Sequence, residues 1–237
     1  SNGYVIEEHD LFREENHIYG KLYLPDSYEK VPLVIMSHGL GVNFQAVRRF
    51  AEVFAEGGIA AYVFDYVGGS DCVMSDGKTT DMSLLSEAAD LNAVIDNLKM
   101  IQEIDREKIF LLGESQGGFV STYVAAERPS EIAGLILLYP AYVIQDMLKE
   151  LSEGSEQFPD RFELFDVELG EIYIRDGLSF DIFDLVKNYP GKTVIYHGTE
   201  DQKVPISYSE RAAEVFPDAE LVLIDGADHG FYDETEV

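Results

Sequence analysis

Short apolar runs and helical spacings alternate along this chain. Tyr4–Glu8 and Ile18–Leu24 read as two antiparallel strands joined by the polar turn at Glu14-Glu15-Asn16. Val31–Ser37 is a third strand, more uniformly apolar, and His38-Gly39-Leu40-Gly41 follows it. From Phe44 to Glu56, apolar residues at 47, 50, 51, 54 and 55 have helical spacing, and Gly57-Gly58 ends the helix. Ala60–Phe64 is the fourth strand. Ser83–Met100 is a helix with Leu84, Ala88, Leu91, Ile95 and Leu98 on one face. Ile109–Leu112, Ile132–Leu138, Thr193–His197 and Leu221–Ile224 complete a set of eight strands. Helices are expected over Gly117–Glu127 and Ser207–Val215. Strands alternating with helices imply a mostly parallel eight-stranded sheet with helices on both faces.

One interval breaks the rhythm. From Ala141 to Lys187 no simple strand–helix unit appears, although Leu148, Leu151, Phe158, Phe162, Leu164, Phe165, Ile172 and Ile174 make it rich in apolar side chains. A stretch this long without regular pattern is usually functional or has structure of its own. The expected organisation is a core of residues 1–140 and 188–237 with a cap, 141–187, inserted after the sixth strand. Val167–Arg175 alternates enough to suggest short strands inside the cap.

The 237 residues fit a single α/β domain. Seventeen basic against 45 acidic residues leave a formal charge of −28, spread along the chain. Such a surface repels phosphate backbones and anionic lipid heads, so neither nucleic acid nor membrane is an expected partner. The single cysteine, Cys72, excludes an intrachain disulfide. No apolar run is long enough to span a bilayer, and no metal-ligand or dinucleotide motif occurs. A cytoplasmic location is expected, with a removed signal peptide as the alternative. The start at Ser1-Asn2-Gly3 reads as a non-native leader, and the short stretch after His229 as a truncated end lacking a closing helix.

Candidate chemistry centres on Gly113-Glu114-Ser115-Gln116-Gly117, which ends an apolar strand and opens a helix. The Gly-x-Ser-x-Gly pattern carries little weight alone. In a strand–turn–helix context it lifts the Ser115 hydroxyl clear of the sheet and puts the Gln116 N–H at a helix N-terminus, where it can stabilise a developing negative charge. A serine nucleophile needs a general base and an orienting acid. Of five histidines, His229 lies in the loop after the last strand, where it can reach the serine. The loop after the seventh strand offers Asp201 as the acid, with Glu200 as the alternative. The order Ser115, Asp201, His229 is that of α/β-hydrolases.

Together, His38-Gly39-Leu40-Gly41, Gly113 to Gly118, His197-Gly198-Thr199-Glu200-Asp201 and Gly226-Ala227-Asp228-His229-Gly230-Phe231 resemble the α/β-hydrolases. Within them the chain is similar to the single-domain bacterial feruloyl/cinnamoyl esterases. The order of elements and the cap segment Gly170 to Asp176 match as well. The resemblance implies a serine carboxylic-ester hydrolase working through an acyl-enzyme, on hydroxycinnamate esters, with neither cofactor nor metal. It implies Leu40 N–H as the second oxyanion donor beside Gln116. It also makes Asp146 and Tyr173 candidates for holding a phenolic hydroxyl. His38 is expected to be structural and His197 to support the acid loop. A small-molecule ester is the expected partner, and a homodimer is allowed for. The alternatives are a peptidase of the prolyl-oligopeptidase type and a non-catalytic binding protein on the same scaffold.

Overall fold

A computed structural model describes residues 3–153 and 157–231. Twelve strands occur among the described residues: β1 (Tyr4–Glu8), β2 (Leu11–Arg13), β3 (Asn16–Ile18), β4 (Gly20–Pro25), β5 (Val31–Ser37), β6 (Ala60–Phe64), β7 (Ile104–Glu114), β8 (Gly134–Leu138), β9 (Arg161–Leu164), β10 (Val167–Gly170), β11 (Lys192–Gly198) and β12 (Ala219–Ile224). Eight of them form one sheet in the order β1-β4-β6-β5-β7-β8-β11-β12. The pairs β1–β4 and β4–β6 are antiparallel, and every later pair is parallel. The helices are α1 (Gln45–Glu56), α2 (Leu84–Leu98), α3 (Gln116–Glu127), α4 (Ile144–Ser152), α5 (Glu171–Gly177), α6 (Ile182–Leu185) and α7 (Ile206–Val215).

Alternation along the strands sends side chains to two separate cores. Leu33, Ile35, Leu111, Leu135 and Ile195 face α2, α3 and α7, where Leu91, Val94, Phe119, Val124 and Ala212 pack. Val34, Met36, Val63, Leu112 and Leu138 face the opposite way, onto Val47, Ala51 and Ala55 of α1. The central strands are buried on both sides, which is why they read as near-continuous apolar runs. Ser83 caps α2: its hydroxyl accepts from the Ser86 N–H, and the Ser86 hydroxyl accepts from the Ser83 N–H.

Two expectations are corrected in detail. The polar turn at Glu14-Glu15 does not join the first two sheet strands directly. It closes a separate hairpin, β2–β3, and β4 starts only at Gly20. Inside the 141–187 interval, β9 and β10 pair as a hairpin, but strand ends at Gly170 and Glu171–Gly177 is helical. The buried positions there are Tyr173, Ile174 and Gly177, a helical i, i+1, i+4 spacing rather than an alternating one. The readings of the two chain ends, at Ser1-Asn2-Gly3 and after His229, fall mostly on residues 1–2 and 232–237, outside the described residues. Among the described residues, no helix is long and apolar enough to cross a membrane.

Candidate active site

The parallel strands β5, β7, β11 and β12 all end at one edge of the sheet, and each carries one part of the site in the loop that follows. At the end of β7, Ser115 adopts φ 51° and ψ −118°, a conformation strained for a residue with a side chain. The surroundings hold it there. Its N–H donates to Leu138 O (2.9 Å), and its carbonyl accepts from Ala141 N–H (2.9 Å) and Gly118 N–H (3.0 Å). The turn closes only because its flanking residues lack side chains. A Cβ on Gly117 would overlap the Ser37 and His38 carbonyl oxygens, and one on Gly113 would overlap the Gly117 carbonyl.

His229 Nε2 lies 3.0 Å from Ser115 Oγ, and Nδ1 lies 2.7 Å from Asp201 Oδ2. Asp201 is fully covered, and its Oδ1 accepts from the Lys203 and Val204 N–H groups at 2.9 and 2.8 Å. Burial opposes ionisation of Asp201. Hydrogen bonds from His197, His229 and the Val204 amide more than offset that cost and hold the carboxyl well below the usual carboxylate range. An ionised carboxylate only accepts, so His229 Nδ1 carries a proton and Nε2 is free to take one from the serine. His197 supports the acid loop from beneath: Nε2 lies 2.9 Å from Val204 O and 3.3 Å from Asp201 Oδ2, and Nδ1 lies 2.6 Å from Ser209 Oγ. Glu200 is exposed.

Two main-chain amides flank the serine. Among the described residues, no acceptor meets the N–H of Leu40 or of Gln116. His38 is buried and aims the Leu40 loop. Its Nε2 accepts from Tyr66 N–H (3.0 Å), so Nδ1 is the protonated nitrogen and donates to Gly39 O (2.6 Å). Burial pushes the His38 imidazole below its ordinary value, in keeping with a neutral ring.

Sequence reasoning missed Glu114, Tyr139 and Arg49. Glu114 Oε1 accepts from Gly39 N–H at 2.8 Å and Oε2 from the Tyr139 hydroxyl at 2.9 Å, so this carboxylate ties the Leu40 loop to the end of β8. The Tyr139 ring packs on His229 with centroids 4.5 Å apart. Arg49 Nη2 donates to Gly230 O and holds the histidine loop from α1. The available signal was Glu114 itself: an acid ending a buried apolar strand must find partners.

A cleft of about 80 Å³ opens over Ser115. Leu40, Val42, Glu114, Phe165, Lys203 and His229 line it. Neither Asp146 nor Tyr173 does. Asp146 is exposed and accepts a hydrogen bond from the Tyr208 hydroxyl, because α4 turns it toward α7. Tyr173 is fully buried, with its hydroxyl donating to Gln116 Oε1 at 2.7 Å.

Residues 29–163, more than half of the chain, match the family described as serine aminopeptidase, S33. The chain belongs to the serine aminopeptidase S33 family. Among curated proteins, rat monoglyceride lipase is 27% identical over 137 residues, which are 56% of this chain and 42% of the lipase. Methylesterase 7 of Arabidopsis thaliana is 26% identical over 165 residues, 53% of this chain and 64% of that protein. The chain thus spans less than half the length of the lipase it matches. Among solved structures, ferulic-acid-bound Est1E from Butyrivibrio proteoclasticus superposes with a TM-score of 0.86 at 27% identity, over 94% of this chain and 92% of that one. DcsB in complex with its substrate analogue shares the fold, with a TM-score of 0.75 at 19% identity over 96% of this chain and 92% of that one. This member of the S33 family therefore has an α/β-hydrolase fold resembling that of feruloyl esterases.

Proposed function

We propose that this chain is a serine carboxylic-ester hydrolase. The observation that carries the reading is Ser115, strained and exposed to the cleft, 3.0 Å from a histidine whose other nitrogen is held by an ionised, buried aspartate. His229 takes the Ser115 proton as Oγ attacks the ester carbonyl carbon. The carbonyl electrons move to oxygen, and the oxyanion accepts from Leu40 and Gln116 N–H. Collapse breaks the C–O bond, His229 protonates the leaving alcohol, and an acyl-enzyme remains. Water, deprotonated by the same histidine, then releases the acid.

The cleft bears on the substrate. Pockets for drug-sized ligands run to roughly 300–1,000 Å³. A cleft near 80 Å³ suits a short acyl group. Hydroxycinnamate esters are a second substrate class, favoured by the likeness to Est1E. They require Phe165 to swing away, as a cap over the cleft would allow. Aminopeptidase chemistry, named in the family's description, fits less well, since it needs an anion for the substrate's free ammonium group. Glu114 is the only acid lining the cleft among the described residues, and both its oxygens already accept hydrogen bonds. Lys203 at the same cleft would repel that group.

The test is a turnover panel of p-nitrophenyl acetate and hexanoate, methyl ferulate and a proline dipeptide amide. Ester hydrolysis led by acetate is expected. Preferential cleavage of the amide would overturn the ester reading, and preference for methyl ferulate would put the aromatic class first.

A further inference from the structure

Behind the site lies a buried polar chain that the proposed mechanism does not use. The Gln116 side chain points away from the cleft into the core, where the residue is 1% exposed. Its Oε1 accepts from the Tyr173 hydroxyl at 2.7 Å, and its Nε2 donates to Glu87 Oε1 at 2.8 Å, with Met82 Sδ at 3.6 Å. Glu87 comes from α2, Gln116 from the serine turn and Tyr173 from the 141–187 interval. All three are buried, and Glu87 Oε2 has no partner among the described residues.

Burying these groups is costly unless something is gained. An apolar side chain at 116 would fill the same space but could not fix the amide plane. Two hydrogen bonds on opposite ends of the carboxamide do fix it. Gln116 directly follows the strained Ser115, so its Cα is one corner of the peptide plane carrying the proposed oxyanion N–H. A strained turn persists only where its surroundings over-determine it.

We propose that Glu87 and Tyr173 are positioning residues that clamp the Gln116 side chain and so hold the Gln116 N–H on the oxyanion, linking the inserted interval to the reaction centre. The inference rests on the esterase reading and gives Tyr173 a role that needs no phenolic substrate. Burial pushes the Glu87 carboxyl well above its usual range, with the Gln116 hydrogen bond opposing and the Asp90 charge adding to the rise. A neutral Glu87 is matched in shape and charge by glutamine. Burial likewise raises the Tyr173 hydroxyl well above its ordinary value and keeps it a donor.

The experiment uses p-nitrophenyl acetate, which has no hydroxyl for Tyr173 to hold. Rates are counted per active serine, titrated to completion with a phosphonate, so unfolded protein does not enter. Tyr173→Phe and Glu87→Leu should each lower kcat about tenfold with KM unchanged, a fraction of the 10²–10³ lost with a whole oxyanion donor. Affinity for a methylboronic acid, whose tetrahedral adduct places an oxygen at the two amides, should fall by the same factor. Glu87→Gln should restore kcat to near wild type. Wild-type kcat in Tyr173→Phe, or a loss in Glu87→Gln as large as in Glu87→Leu, would overturn the clamp. Ser115→Ala run alongside separates the two ideas. If wild type turns over and Ser115→Ala does not, the esterase reading stands and any failure belongs to the clamp alone.

Discussion

The serine turn and the 141–187 interval meet at the same cleft but are held in different ways. The turn from Gly113 to Gly118 is locked by main-chain contacts: glycines pressed against carbonyls, and the Ser115 N–H and C=O bonded to the ends of neighbouring elements. The 141–187 interval is attached mainly by side chains, besides the Ala141 N–H bond to Ser115 O and Gly170 pressed on the Thr80 carbonyl. Thr79 Oγ1 donates to Glu168 O, Ser83 Oγ to Asp176 Oδ2, Tyr173 to Gln116, and Tyr142 shares a hydrogen bond with Thr122. Main-chain locking needs particular residues at particular spacings and tolerates almost no change. Side-chain anchoring can be met by many sequences. One region is therefore fixed rigidly, and the other has more room to change its side chains.

The sharpest break of this contrast is Ser115→Ala. It should reduce kcat for an activated ester by on the order of 10⁶, measured by steady-state turnover. Activity close to wild type would remove the turn from the chemistry. Next comes Asp201→Asn, which leaves the geometry but supplies a donor where His229 Nδ1 needs an acceptor, with kcat falling by about 10⁴. The same variant tests electrostatics. Asp201 is held below its unfolded value, so it contributes stability at neutral pH that is lost as the pH falls below about 4, the ordinary aspartate value. Urea melts should show the stability gap between wild type and Asp201→Asn full at pH 7 and shrinking below pH 4.

A third substitution, Gly117→Ala, drives a methyl group into backbone carbonyls that cannot move aside. It should cost about 3 kcal/mol or more of stability, read from the urea midpoint. The smallest effect is expected on the adjustable side. Phe165 and Asp166 form the two-residue tip of the β9–β10 hairpin with φ of 49° and 64°, a turn that favours glycine. Phe165→Gly relieves that conformation and opens the cleft. The kcat/KM ratio of hexanoate to acetate should rise roughly tenfold, on the scale of methylene discrimination in a pocket. No change in the ratio would mean that the hairpin does not set acyl length.

The same contrast governs what could be read before the structure. Ser115, Asp201 and His229 could be singled out because each sits in a loop ending a recognisable strand, and in the structure His229 lies within hydrogen-bond reach of the other two. The central sheet strands β5, β6 and β8 were legible because burial on both faces leaves a nearly unbroken apolar run. Asp146 and Tyr173 were carried over from a family resemblance in the region anchored by side chains, and neither lines the cleft. Glu114 was overlooked because its partners, Gly39 and Tyr139, are distant in sequence. The helix over Glu171–Gly177 was read as strand because seven residues hold too few repeats to separate the two periods.

Local sequence by itself determined where strands and helices alternate, the serine turn that only glycines can close, and the chain order of Ser115, Asp201 and His229 at the ends of strands. These depend on backbone sterics and on hydrophobic periodicity, which act between near neighbours. Tertiary structure alone decided that Glu114 ties the Leu40 loop, that Phe165 lines a cleft of about 80 Å³, and that Tyr173 and Glu87 converge on Gln116. Each of these joins residues tens of positions apart. Only the crossovers of the sheet and the folding of residues 141–187 against it bring such residues together.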